Sequence, residues 1–258
     1  MTRIAAVALN TFREAVRDRV LYNLLFFALL MMAAAIFVGG ISIGIEELVI
    51  KSLGLSAISV IGLLIAVFIG VGLVYKEMDK RTLYALLAKP VRRWEFVLGK
   101  FGGLVLTLAV NTLAMAVGLF LALLYVKHPL ERSDAVLLVA IYFILLKLML
   151  VVAIALLFSC YTTPLLAILF TSGLYIAGLF VEEMRTFQFV VPNPAMQGLL
   201  RALSYLLPNF ENFNVMAAAV HGRGIPGALI LQNTAYAALY SVIVLLAAAA
   251  VFSRRNLK

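Results

Sequence analysis

Charge is what this sequence has least of. Only 13% of its 258 residues are Asp, Glu, Lys or Arg, against 65% hydrophobic, and the mean hydropathy is +1.10. A soluble domain of that length needs far more polar surface, so lipid is the solvent for most of the chain. Cysteine is nearly missing as well. The single Cys160 excludes an intramolecular disulfide, and His128 and His221 stand too far apart to suggest a zinc site. No alternation of apolar and polar residues marks the strands of a membrane barrel.

Nucleotide and metallohydrolase motifs are absent too. No GxxxxGK[ST] occurs: Gly99-Lys100 runs into Phe101 and has no glycine five residues earlier, so no P-loop cradles a phosphate. HExxH and the deaminase pattern are likewise missing. The paired acids Glu46-Glu47 and Glu182-Glu183 point to different helix faces as neighbours and read as solvated helix ends. No catalytic residue and no metal ligand emerges, so the chain is not expected to be an enzyme. The net charge of +9 does not imply nucleic acid, because the basic residues flank apolar runs instead of forming a patch. The first 19 residues spread their charges too widely for a cleavable signal peptide.

What is present is a series of six apolar runs, each near the about 20 helical residues that cross a hydrocarbon core. They lie near Val20–Val38, Leu55–Tyr75, Phe101–Val126, Ala135–Ser159, Thr163–Val181 and Gly227–Phe252. The fold class is therefore an all-α integral membrane protein. Residues 2–19 precede the first run as an amphipathic interfacial helix. Ile4, Ala8, Leu9, Phe12, Ala15 and Val16 fall on one side, Arg3, Arg13, Glu14 and Arg17 on the other. Between the second and third runs, residues 76–100 hold seven basic and three acidic side chains. They read as a short helix, Glu77 to Ala88, stopped at Pro90.

Fourteen of the 21 Lys and Arg residues fall on the side of the termini and this elbow. Six fall on the other side, and Lys147 lies within a span. Positive charge resists translocation, which puts both termini and the elbow in the cytoplasm of a bacterial or archaeal plasma membrane. On the opposite side, residues 182–226 form a helical segment. Ala195–Leu207 is amphipathic, a second short helix lies near Phe213–Val220, and both are read as interfacial or re-entrant.

Lys147 is the one ionisable residue deep in a span, and an intramembrane charge is a functional candidate by default. Its possible partners are Asn111 and Thr112, or Gln232 and Asn233, and Lys147, Asn111, Gln232 and Asn233 form the candidate translocation path. Gly99 and Gly103 make a GxxxG that permits close helix approach but identifies no partner helix.

This order of elements resembles an ABC-2-type transporter permease with the type V exporter-like fold. It is most similar to the subgroup of the permease (NosY-like) that serves copper-site maturation in nitrous-oxide reductase. The residues that carry the likeness are Glu77, Thr82-Leu83, Leu86-Leu87, Pro90, Arg93 and Gly99-Lys100. Ser159–Pro164 and Leu207-Pro208-Asn209-Phe210-Glu211 with Phe213-Asn214 add to it. Arg81 departs from the glycine that often precedes the Thr. The resemblance covers the whole chain as a single transmembrane permease domain, residues 1–258. It implies a second permease copy, as homodimer or heterodimer, surrounding membrane lipids, and separate ATP-binding cassette subunits that bind the ATP and Mg. No cofactor is expected on this chain. It implies further that residues about 80–90 act as a coupling helix, with Glu77, Lys80, Arg81, Leu83, Tyr84, Leu87, Pro90 and Arg93 at the ATPase. The main alternative is a secondary transporter driven by an ion gradient, with Lys147 in a relay. A membrane scaffold that only recruits a soluble protein is a third.

Overall fold

The structure is a computed structural model that describes residues 3–42, 44–79, 92–127, 131–187, 189–190 and 193–254, apart from the side chains of 74–79, 93, 132 and 254. Among the described residues it is all helix: α1 (Arg3–Val16), α2 (Arg19–Ile41), α3 (Glu46–Asp79), α4 (Arg93–Val126), α5 (Val136–Ser159), α6 (Pro164–Leu179), α7 (Val181–Phe187), α8 (Pro194–Leu206), α9 (Met216–Val220) and α10 (Gly227–Arg254). Five of these, α2, α3, α4, α5 and α10, are long and apolar enough to cross a membrane. The sixth expected span is a pair. α6 and α7 are bent 48° from each other, and together they pass the same test.

The ends of these helices follow from local chemistry. Asp18 caps α2, its Oδ1 accepting from Val20 N at 3.0 Å, so α1 is a separate helix and not an extension of the first span. Pro164 and Pro194 open α6 and α8 at positions where their missing N–H costs nothing. The break after α6 falls at Phe180, two residues beyond Gly178. Gly178 accepts a hydrogen bond from Phe210 N at 3.1 Å, a donor from outside the helix. Intrusion into the helical ladder is a recognised cause of sharp kinks. α3 and α4 are longer than the apolar runs that announced them, at 34 residues each.

The core gathers around α5, which packs against α3, α4, α6 and α10. Its buried side chains include Phe143, Leu148, Leu150, Val151 and Ala153, all on a helix with almost no polar face. A helix apolar all round belongs at the centre of a bundle. α2 shows the opposite environment, with Phe26, Phe27, Phe37 and Ile41 exposed as expected of a lipid-facing helix.

α1 docks on α4 through the glycines of the GxxxG. A Cβ on Gly103 would lie 2.5 Å from Ala8 O and 2.6 Å from Thr11 Cβ, and one on Gly99 would lie 2.6 Å from Val7 Cβ. The two helices touch backbone to backbone, as small residues allow. Thr11 and Ala15 are buried in this contact, and Lys100, also buried, pairs with Glu14 at 3.7 Å. The motif that identified no partner in the sequence is thus spent within the chain, on the amphipathic helix.

Candidate functional site

Two places in the fold carry the sequence-based candidates. The first is the elbow. Lys80, Arg81, Leu83, Tyr84, Leu87 and Pro90 lie outside the described residues, with most of the expected helix Glu77–Ala88. Glu77 belongs to the last turn of α3, which runs unbroken to Asp79, so the second span continues past the point where a new helix was expected. Arg93 is the first residue of α4. Its start is fixed by Arg92 N donating to Glu95 Oε2 at 2.8 Å, and the Phe96 ring stacks on Phe252 of α10 at 5.9 Å. The elbow is therefore flanked by two long helices, one of them clamped by α1 and α10.

The second place is around Lys147. Its Nζ donates to Ser59 Oγ of α3 at 2.7 Å and lies 5.9 Å from the centre of the Tyr175 ring of α6. Its hydrogen-bond partner is thus Ser59 and not any of the amides expected to meet it. Asn111 is buried and gives its Nδ2 to Thr107 O of its own helix at 2.8 Å. Asn233 is buried too and donates to Asn212 O at 2.8 Å, while Gln232 is exposed. The amides satisfy backbone, as buried polar groups in lipid must.

Sequence reasoning passed over the serines. Ser52, Ser56 and Ser59 recur at spacings of four and three, which places them on one face of α3, and all three are half-buried. Ser56 Oγ lies 3.6 Å from Met216 Sδ of α9. A polar stripe thus runs along α3 from its beginning to Lys147. Three hydroxyls at helical spacing in an apolar run were the available signal.

The segment between α8 and α9 turns inward over this stripe. Asn209, Phe210 and Phe213 are buried. Asn209 N donates to Tyr236 Oη at 2.9 Å, and Asn209 Oδ1 accepts from Glu211 N at 3.0 Å. Phe210 packs against Tyr175, ring centres 4.9 Å apart, where Gly178 leaves room for it: a Cβ there would meet Pro208 O at 2.4 Å. The non-helical backbone is buried in protein, the condition under which it is tolerated at membrane depth.

The beginning of α3 is tied to its neighbours by charge. Lys51 is buried and pairs with Glu47 and with the buried Asp134 at 2.5 Å. Lys127 reaches Glu47 and Glu131, each at 3.0 Å, and Glu131 N donates to Asp134 Oδ2 at 2.8 Å. The hydrogen bonds to Glu131 and Glu47 push the Lys127 ammonium up to about 12. Glu47 is therefore part of an ion-pair network and not a merely solvated helix end.

No group of three or more His, Cys, Asp or Glu side chains suited to a metal ion occurs among the described residues. No curated protein sequence matches the chain. A family model does: that of the ABC-2 family transporter proteins, over residues 5–257.

Proposed function

The chain belongs to the ABC-2 transporter family, as a multi-pass permease subunit without an ATPase domain, and from that premise we propose how it is driven and what moves through it. A separate ATP-binding cassette subunit binds ATP and Mg and engages the elbow at residues 76–100. Lys80, Arg81, Leu83, Tyr84, Leu87 and Pro90 supply the contact, with Glu77 and Arg93 at its two ends. The elbow and both termini face the cytoplasm, on the strength of the fourteen-to-six division of basic residues. Residues 182–226 then face outward, and a second permease copy completes the transporter. The permease domain spans residues 1–258. The cluster Glu77, Pro90, Arg93 and Gly99-Lys100 favours the subgroup related to nitrous-oxide-reductase maturation.

The observation that carries this reading is the family match over nearly the whole chain. The two 34-residue helices that bracket the elbow support it. Rigid rods on either side of a charged bend are suited to convert a push on the bend into movement of the spans. Lys147 and its surroundings are the proposed point where that movement acts on cargo. Asn111, Gln232 and Asn233 belong to the same path as supports of the spans around it. Family membership displaces the ion-gradient transporter, and Lys147 needs no proton relay to have a use.

The test is co-purification of the full chain with candidate Walker-motif ATPases from neighbouring reading frames, followed by ATPase assays in lipid nanodiscs. Tyr84→Ala and Arg81→Glu are expected to abolish stimulation of the ATPase by the permease while leaving the permease folded. A stable absence of complex, together with full activity in both variants, would overturn the coupling assignment.

A further inference from the structure

The described lysines fall into two kinds. Lys51, Lys100 and Lys127 are each paired with a carboxylate, Lys51 and Lys127 with two, and Lys51 and Lys100 are buried. Lys147 differs. At mid-span its ammonium is bonded to one neutral hydroxyl and rests near an aromatic face, with no carboxylate in bonding distance. Ser59 accepts from Nζ and keeps its own O–H to donate elsewhere, and an ammonium carries three donors, of which one is used here. A cation held in lipid at this cost, with donors to spare, is an incomplete ion pair.

We propose that Lys147, with the Ser59 hydroxyl, binds the anionic group of the cargo. A phosphate or carboxylate would take charge-assisted bonds from Nζ and a bond from Ser59 Oγ, both of which shorten and strengthen when the acceptor is ionised. A cationic cargo would meet a like charge, and a neutral one would leave the ammonium unpaired. Tyr175 lines the site from α6, and the Ser52–Ser56–Ser59 face of α3 offers further hydroxyls along the way out.

This proposal rests on the reading of Lys147 as part of a transport path. Its test uses the purified full chain in a neutral maltoside detergent, without any ATPase. Three probes are compared by native mass spectrometry: dodecyl phosphate, inorganic phosphate and dodecyltrimethylammonium. Saturable binding of a phosphate probe is expected, at least tenfold weaker in Lys147→Met, recovered in Lys147→Arg and several-fold weaker in Ser59→Ala. Dodecyl phosphate alone marks a lipid-like cargo, and comparable binding of inorganic phosphate marks a soluble anion. The proposal is overturned if neither phosphate probe binds, if Lys147→Met binds as tightly as the parent, or if the ammonium probe binds as well as dodecyl phosphate. Should Lys147→Met fail to fold, Ser59→Ala decides, since unchanged or tighter binding there also overturns it. Loss of ATPase coupling with Lys147-dependent binding intact would sink the transport reading alone.

Discussion

Two neighbouring glycines on α4 should respond to the same substitution with opposite sign. Gly102 and Gly103 both gain helix propensity on becoming alanine, roughly 1 kcal/mol in a helix interior. At Gly102 nothing opposes the gain: the new methyl would sit 3.7 Å from Ala8 Cβ, an ordinary contact. At Gly103 it would sit 2.5 Å from Ala8 O and 2.6 Å from Thr11 Cβ. The first of these is backbone and cannot rotate away, and Thr11 is held because its Oγ1 donates to Val7 O at 2.9 Å. Overpacking of a tight contact costs about 1–3 kcal/mol, and a backbone clash belongs at the upper end. Gly102→Ala is therefore expected to stabilise by up to about 1 kcal/mol. Gly103→Ala should destabilise by about 1–2 kcal/mol after the propensity gain is subtracted.

The assay is reversible unfolding in mixed micelles, read by circular dichroism, with a cross-link between α1 and α4 as the local probe. Cys160→Ser supplies a cysteine-free background for it. Gly103→Ala should slow the cross-link as well as lower stability, because α1 must lift from α4 to admit the methyl. If the two alanine variants are equally stable and cross-link equally fast, the backbone contact between α1 and α4 is not as described.

Lys51→Met should be among the most damaging single changes at the other end of the bundle, costing about 3–5 kcal/mol because it strands the buried Asp134; thermal melting reads it, and a loss below 1 kcal/mol would contradict the buried pairing. Gly178→Ala should unseat Phe210 and the inward-turned segment, since its methyl would meet Pro208 O at 2.4 Å; limited proteolysis between α8 and α9 should speed up, and unchanged cleavage would refute the contact. The Lys127 ammonium, raised from 10.5 to about 12, contributes stability that is complete below pH 10.5 and lost as pH rises through 12. Lys127→Gln should thus lower the melting temperature equally at pH 7 and pH 9.5, and a difference that vanishes already by pH 9.5 would argue against its ion pairs.

The spans were legible because unbroken apolar runs are the strongest signal a sequence carries. Depth and partnership were not. The wheel of residues 195–207 shows which face is apolar without saying that Asn209, Phe210 and Phe213 beyond it are buried, and that depended on the gap at Gly178, more than thirty residues earlier. The GxxxG at Gly99 and Gly103 announces a close approach and is silent on which helix approaches; Ala8 and Thr11 lie some ninety residues away. Lys147 was recognised by its charge, but its partner Ser59 was not. A serine in a span usually satisfies itself on its own helix, as Ser159 does on Ala155 O at 2.6 Å. The amides chosen instead, Asn111 and Asn233, are engaged by backbone. The bend at Phe180 left no mark beyond the arrival of Glu182 and Glu183.

The placement of Ser59 and Lys147 on different helices makes their contact the natural place to register force. α3 is about 51 Å long at 1.5 Å per residue, against a hydrocarbon core of about 30 Å. It holds Glu77 at the elbow end, Ser59 in the middle and the Glu47–Lys51 network at the other end. Lys147 sits on α5, which is enclosed by α3, α4, α6 and α10. Ser59 lies 18 residues from Glu77, or about 27 Å along the axis. A tilt of α3 about its elbow end by about 10° would then move Ser59 by roughly 5 Å. A hydrogen bond of 2.7 Å does not survive such a shift. Tilting α3 against α5 therefore strips Lys147 of its only hydrogen-bond partner, and an anion bound between the two helices loses half its contacts in the same movement. Binding in one state and release in the other would follow from the rigidity of α3 alone, without any flexible part at the site itself.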